Sequence, residues 1–377
     1  MSERTRLAFL LPHLRPGGAE RVVLNYLRAL DRSRFEPLLF LASLEGGFLE
    51  LLPGDVRIVD LGGARARRLP GRIARALEAE RIDAAYSATD AMNMALLASR
   101  WLGARRTQRI VSVHTNPDAW LSEARHPRMR RWLMRRLYPF AALIGVPTQQ
   151  IAEELKSLLG RPRLPIAVLP NPLVERLCAG AAAAERPRIV AAGRLVEAKG
   201  FDLLIEAAEL LSRQGSPVQM EIHGEGPLRE ALSRQIEAAG LSGRVSLPGH
   251  QPDAKALFER AHLCVVPSRR EGFGNVVVEA MAAGVPVLAA ACPGPAALIE
   301  HGRNGFLVEP GSSGALAQAM AALLGDPARL ISVTEAGHRT ASRFELGEAT
   351  RQFEIIVAQL LVSKSAGKRP DRGQASR

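Results

Sequence analysis

Ser268 to Ala289 reads SRREGFGNVVVEAMAAGVPVLA, and this stretch decides the fold. A short apolar run, Leu263 to Val266, comes before it and closes at Pro267. A second apolar run, Val285 to Ala289, is opened by Gly284 and Pro286. Gly272, Phe273 and Gly274 lie between them, followed by an apolar segment of helical length. The order is therefore strand, glycine turn, helix, strand, the unit of a parallel sheet. Glu271 falls in a loop at the carboxyl end of a strand. Glu279, eight positions on, lies just over two helical turns later, on a compatible face. The helix amino terminus aims free N–H groups and its positive dipole end into the same crevice. Backbone amides from Gly272 to Asn275 can hold hydroxyls or anions there, and two carboxylates can accept from polyols.

The same alternation extends in both directions. In the carboxyl half, Arg188 to Ala192 predicts a strand, Gly193 a turn, and Gly200 to Arg213 a helix, with Arg194 and Lys199 between them. Val218 to His223 is the next strand, followed by the turn Gly224-Glu225-Gly226-Pro227 and a helix through Ala239. Arg244 to Leu247 is another strand, with Gly249 and His250 just beyond it. Cys292 to Leu298 makes a loop and helix start, and helical patterns run from about Ser312 to Leu324 and from Glu345 to Leu361. In the amino half the strands are Arg6 to Leu11, Pro37 to Ala42, Arg57 to Asp60, Ala84 to Ser87, Ile110 to His114 and Leu143 to Val146. Pro16, Gly17 and Gly18 precede a helix from Ala19 to Leu30, a loop that suits close approach of backbone amides to a phosphate.

Two α/β domains follow from this pattern. The expected boundaries are 1–172, a connector 173–186 flagged by Pro172, Pro187 and the run CAGAAAAE, a second domain 187–344, and a helix 345–362 crossing back to the first domain. The tail 363–377 is polar and basic with no apolar period, and is expected to be disordered. At 377 residues the chain has room for two cored domains.

Composition narrows the function classes. No run approaches the roughly 20 uninterrupted apolar residues of a membrane span. Leu7 to Leu11 is too short for a signal peptide, and Pro12, His13 and Arg15 break it. The three cysteines, Cys178, Cys264 and Cys292, show no C-x-x-C spacing and read as reduced thiols of a cytoplasmic protein without a metal site. A net charge of +12 attracts nucleic acid, anionic lipid or phosphorylated substrates, although a coding bias toward Arg and Ala accounts for part of it. Aromatics are only 5% and do not interleave with basic strands, so nucleic acid is not an expected partner.

The pattern E-G-F-G-N-V-V-V-E-A-M-A-A-G-V-P-V, from Glu271, resembles the E-x7-E signature of GT4-type (group 1) retaining glycosyltransferases. GRLVEAKGFDLLIEA, from Gly193, resembles that family's G-R-L-x-x-x-K-G loop, and GGAERVVLNYL, from Gly17, is similar to its first loop and helix. The likeness is weak before Ile110 and strong from Ile189 to Ser313. It implies the GT-B fold, two doubly wound Rossmann-like domains facing across a cleft. Glu279 would accept from ribose hydroxyls, and backbone groups near Gly249 and His250 would meet the base. Arg194 and Lys199 would hold the pyrophosphate, a fork and a point charge for the negative charge that builds as the donor bond breaks. Gly18 would face that pyrophosphate, with Glu20 and Arg21 on the acceptor side. Glu271 and the amides of Gly272, Phe273, Gly274 and Asn275 would orient the transferred sugar. His114, in an H-T-N context, resembles the family's active-site histidine. No D-x-D occurs in the chain, so no metal or other cofactor is expected.

The implied activity is retaining transfer of a hexose or N-acetylhexosamine from a nucleotide sugar, uridine-linked by preference, to a lipid-linked or polysaccharide acceptor of the cell envelope. Another GT-B-type enzyme, such as a sugar-nucleotide epimerase, and a catalytically silent nucleotide-sugar-binding subunit are the alternatives.

One further segment, Arg125 to Phe140, reads RHPRMRRWLMRRLYPF. Met129, Trp132, Leu133 and Leu137 form an apolar stripe, with Arg128, Arg131 and Arg135 beside it and Arg130 and Arg136 adding charge. Pro127 suits a helix start and Pro139 a stop. Two readings stand: an interfacial helix on anionic lipid, or a surface helix packing its stripe on the core. Arg65, Arg67, Arg68, Arg72 and Arg75 form a second basic cluster. Peripheral attachment to the inner face of the plasma membrane is the corresponding expectation.

Overall fold

The computed structural model describes residues 4–63, 68–114, 126–178, 187–216, 219–251 and 253–365. Arg65, Arg67, Arg125, the Thr115 to Pro117 continuation of the His114 motif, connector residues 179–186 and tail residues 366–377 lie outside these. The chain divides into two compact units, Met1–Pro172 with Leu346–Arg377, and Leu173–Glu345.

The first unit is built on strands β1 (Thr5–Leu11), β2 (Phe35–Leu41), β3 (Arg57–Asp60), β4 (Ala84–Ser87), β5 (Gln108–Ser112), β6 (Leu143–Val146) and β7 (Ile166–Val168). They form one sheet in the order β3-β2-β1-β4-β5-β6-β7. Every neighbouring pair is parallel. The central strand β1 is apolar and buried along most of its length, as helices on both faces require. Its helices are α1 (Gly18–Ala29), α2 (Leu69–Ala79), α3 (Asp90–Ala98), α4 (Pro127–Leu137) and α5 (Gln149–Leu159). Local chemistry sets α5: the Thr148 hydroxyl accepts from the Ile151 N–H at its start, and Gly160 ends it at φ 61°. The carboxyl-terminal helix, Leu346–Ser365, belongs to this unit. Its Phe353 is fully buried, with ring centroids 4.5 Å from Tyr26, 5.3 Å from Tyr86 and 6.1 Å from Phe9.

The second unit holds β8 (Arg188–Ala192), β9 (Gln219–His223), β10 (Val245–Gly249), β11 (Leu263–Val266), β12 (Val287–Ala290) and β13 (Phe306–Val308). Their order is β10-β9-β8-β11-β12-β13, again all parallel. The helices are α6 (Phe201–Arg213), α7 (Arg229–Ala238), α8 (Ala254–Phe258), α9 (Asn275–Ala282), α10 (Pro293–Leu298), α11 (Ser313–Leu324), α12 (Pro327–Ser332) and α13 (Thr334–Ala341). Strand order reverses between β1 and β4 in one sheet and between β8 and β11 in the other. In doubly wound sheets the ligand crevice lies at such a reversal, outside the carboxyl ends of the strands.

Three details differ from the sequence reading. Strand β5 ends at Ser112, so His114 sits two residues beyond it rather than closing it. In α4 the fully buried side chain is Met134, while Met129 and Trp132 of the assigned stripe are exposed and Leu133 and Leu137 are half-buried. Arg131 and Arg135 both reach the Leu158 carbonyl of α5, at 3.2 Å. The segment from Leu173, read as the start of the connector, packs within the second unit. Leu173 and Val174 N–H both donate to the Phe344 carbonyl at 3.0 Å, and Cys178 N–H to Ala282 at 2.8 Å.

Candidate active site

Two loops meet at the β8/β11 reversal. One carries residues 193–200 from β8 to α6, the other 267–274 from β11 to α9. They touch through backbone: a Cβ on Gly200, which has φ 67°, would stand 2.2 Å from the Pro267 carbonyl oxygen. Arg270 N–H donates to the Ala198 carbonyl at 3.1 Å. The Arg269 guanidinium forks onto both Asp202 oxygens at 2.6 Å and also reaches the Glu197 carbonyl at 3.1 Å. That fork holds the Asp202 carboxyl below its usual range and raises Arg269 in turn. With the loops clamped in this way, Lys199 Nζ ion-pairs directly with Glu271 Oε2. The Ser268 hydroxyl donates to the same oxygen at 3.4 Å.

Arg194 is seated from below by the Gly224-Glu225-Gly226-Pro227 turn. A Cβ on Gly224 would stand 1.9 Å from the Gly193 oxygen, and one on Gly226 2.4 Å from the Leu195 oxygen. Leu195 N–H donates to the Glu225 carbonyl at 2.9 Å, and Gly224 N–H to Gly249 at 2.8 Å. Only residues without a side chain allow this approach. Arg194 itself is exposed, as is His250 past the end of β10.

Gly274, at φ 93°, caps α9, and no side chain caps that helix end. Gly294 brings α10 against the loop: its N–H donates to the Glu271 carbonyl at 3.1 Å, and a Cβ there would meet the Phe273 nitrogen at 2.7 Å. The Cys292 thiol donates to the Ser268 carbonyl at 2.8 Å; burial, aided by the nearby Glu271 charge, pushes it up to about 11. Phe273 is buried edge-on to Phe344, centroids 5.3 Å apart. Asn275 and Glu279 are half-buried on α9. Burial raises the Cys264 thiol of β11, and the Glu279 charge adds to that.

The structure thus gathers Arg194, Lys199, Gly249, His250, Glu271, Gly272, Phe273, Gly274, Asn275 and Glu279 along one sheet edge. Asp202, Arg269, Ser268 and Cys292 hold these loops through contacts the sequence reading missed. The available signal was proximity alone: Asp202 lies three residues after Lys199, and Arg269 two before Glu271.

In the first unit, Gly17 and Gly18 open α1. A Cβ on Gly17 would stand 2.3 Å from Glu20 Oε2, so the Glu20 carboxylate folds back over its own helix end. Arg21 lies over the Phe48 ring at 4.8 Å. His114 Nε2 is 3.4 Å from the Tyr86 hydroxyl. Burial lowers its pKa to about 4, against an opposing hydrogen bond with Asn171, so at neutral pH the ring is an uncharged hydrogen-bonding group. Asp90, opening α3, is pushed up to about 7 by burial, only partly offset by Arg130 at 3.8 Å. Among the described residues, no group of three or more His, Cys, Asp or Glu is placed to hold a metal. No helix among them is long and apolar enough to cross a membrane.

The sequence model described as "Glycosyl transferases group 1" matches residues 179–340, and that described as "Glycosyltransferase Family 4" matches residues 16–174. This chain belongs to the GT4-type group 1 glycosyltransferases. Its Lys199–Glu271 site lies inside the first match, and Gly18 and His114 inside the second. This glycosyltransferase is 32% identical over 182 residues to the lipopolysaccharide core biosynthesis glycosyltransferase LpsE of Rhizobium meliloti, covering 48% of this chain and 51% of that one. It is 34% identical over 179 residues to the alpha-D-kanosaminyltransferase of Streptomyces kanamyceticus, 47% and 46% of the two chains. It is 32% identical over 240 residues to an exopolysaccharide phosphotransferase of Streptomyces coelicolor, 61% of this chain and 25% of that one. The matches thus span about a quarter to a half of these relatives. Among solved structures, Anabaena HepE in complex with UDP and glucose superposes with a TM-score of 0.81 at 23% identity, over 94% of this chain and all of that one. Sucrose-phosphate synthase of Thermosynechococcus elongatus gives 0.81 at 20% identity, over 96% and 100%. The fold is GT-B.

Proposed function

We propose that this glycosyltransferase moves a hexose or N-acetylhexosamine from a uridine-linked nucleotide sugar to a lipid-linked or polysaccharide acceptor of cell-envelope glycan synthesis. The observation that carries the reading is Lys199 beside Glu271 at the β8/β11 reversal, next to the uncapped start of α9. A cation there takes charge from the departing diphosphate, and Arg194 supplies a second. Glu271 and the amides at Gly272 to Gly274 address sugar hydroxyls, and Glu279 those of the ribose. The clamped loops fix these groups before substrate arrives, which is how positioning lowers a barrier. The printed descriptions of HepE, bound to UDP and glucose, and of LpsE, a lipopolysaccharide core enzyme, support the donor and acceptor classes.

The reading includes metal-independent transfer with retention. Arg194, Lys199 and the helix end meet the leaving-group charge. Glu271 is held by Lys199 and Ser268, an environment that suits hydrogen bonding rather than nucleophilic attack. The acceptor oxygen then attacks on the face the diphosphate leaves, and the diphosphate takes its proton. A covalent glycosyl-enzyme on a carboxylate, found by mass spectrometry, would overturn this route.

Nucleotide release from a panel of sugar nucleotides tests the reading, with Lys199→Ala and Glu279→Ala as comparisons. Release from one donor, lost in both variants, supports it. Interconversion of the sugar without transfer would indicate an epimerase. Nucleotide binding with no turnover on any acceptor would indicate a silent binding subunit.

A further inference from the structure

Five exposed large apolar side chains of the first unit fall in α4, just after it, and in the turn that follows α3. Met129, Trp132, Trp101, Leu102 and Phe140 are each 44–61% exposed. One ring contact links the two segments. Trp101, in the turn that follows α3, stands edge-on to Phe140 with centroids 5.0 Å apart, which ties that turn to the end of α4. The Leu102 side chain lies 3.9 Å from the Cβ position of Gly71 in α2, the helix that carries Arg72 and Arg75. Arg72 and Arg75 of the second basic cluster therefore lie on a helix that touches this turn.

Charge on this flank is mostly positive, although Glu78 accepts from the Ala104 N–H and Asp90 lies 3.8 Å from Arg130. Residues 99–106 and 127–140 contain eight arginines and no Asp or Glu. The Arg136 guanidinium lies 5.7 Å over Trp132, and that of Arg100 5.8 Å over Phe140. Aromatic rings and aliphatic tips ringed by guanidinium groups match an anionic bilayer surface, where rings enter the acyl boundary and the cations meet lipid phosphates. A second copy of the chain would bring the same positive charge against it. A nucleic acid would meet the cations but leave Leu102 and Met129 without apolar partners.

We propose that α4 and the Trp101–Leu102 turn dock the first unit on an anionic lipid surface. Docking is independent of the transfer reaction and is measured without substrates, so its failure leaves the transferase reading standing.

Flotation of the full chain with vesicles of phosphatidylcholine, with and without phosphatidylglycerol, tests the proposal. Binding should require phosphatidylglycerol and weaken at high salt. The double variants Trp101→Ala/Trp132→Ala and Arg128→Gln/Arg136→Gln should each bind about tenfold more weakly or worse, with unchanged melting. Arg131 and Arg135 are unsuitable probes, since they brace the end of α5. The proposal is overturned if anionic vesicles leave the chain unbound, or if both double variants float like wild type. A dimer that Trp101→Ala/Trp132→Ala dissociates, without vesicle binding, would assign the surface to a second copy and overturn it as well.

Discussion

Lys199 and Glu271 neutralise each other across the reversal point of the second sheet, although 72 positions separate them in sequence. On the proposed reading, a diphosphate entering this site would compete with Glu271 for the same ammonium. The ammonium would then change partner on binding, which makes the two residues separable by experiment.

Glu271→Gln should leave Lys199 free for phosphate. UDP affinity, read by calorimetry, should tighten a few-fold while transfer falls by about 10²–10³, the usual loss for one transition-state hydrogen-bonding group. A parallel fall of both would show that Glu271 only braces the loop.

Gly224→Ala tests the seat beneath Arg194. The new Cβ would stand 1.9 Å from the Gly193 oxygen at φ 148°, so one of the two turns must move. Stability should drop by about 2 kcal/mol or more in denaturant unfolding. UDP binding should weaken with it. Gly54→Ala, with nothing within 4 Å of its Cβ, should be near neutral. Equal behaviour of the two variants would refute the close approach.

Asp90 makes the first unit lose stability as pH rises from about 4 to about 7. Its folded pKa, about 7, lies above the unfolded value of 3.8, so the folded state holds the proton longer. Stability then falls as pH rises through that window, with a ceiling of about 4 kcal/mol. Asp90→Asn should stabilise the protein at about pH 8 and have little effect near pH 4. A pH-independent difference in melting would show that the carboxyl does not titrate there.

His114 acts in the opposite direction. Folded, it protonates only near pH 4, against 6.5 when unfolded, so acid favours the unfolded chain across that interval. Replacing His114 with Asn should flatten the acid limb of the stability curve by up to about 3 kcal/mol. Transfer by the wild-type chain should show no inflection near pH 6.5, because the ring is already neutral there. An inflection that disappears in the variant would contradict this.

The sheets were readable because buried parallel strands are continuous apolar runs punctuated by glycine. Ala84–Ser87, Leu143–Val146, Arg188–Ala192 and Leu263–Val266 fall where the sequence placed them. Ile166–Val168 and Phe306–Val308 escaped because three residues are too few to reveal a period. Candidate site residues were visible as motifs, but their mutual contacts were not. Nothing local to Arg269 announces Asp202, and nothing in the Cys292 neighbourhood announces the Ser268 carbonyl. Such pairings arise only when the sheet brings β8 beside β11. Burial was also hidden: Asp90 reads as an ordinary helix-opening acid until its surroundings are known.

The carboxyl-terminal helix gives the two units an unusual birth order. Residues 173–345 form a unit with its own sheet, and all of them are joined to the nascent chain before Leu346. The unit begun first must wait for Phe353 to close the aromatic slot between Phe9, Tyr26 and Tyr86. Nascent domains generally fold in the order they are made, whereas here the unit begun first is the last to receive all its residues. A premature stop just before Phe353 keeps every residue of the later-made unit and removes from the earlier one the ring that fills this slot.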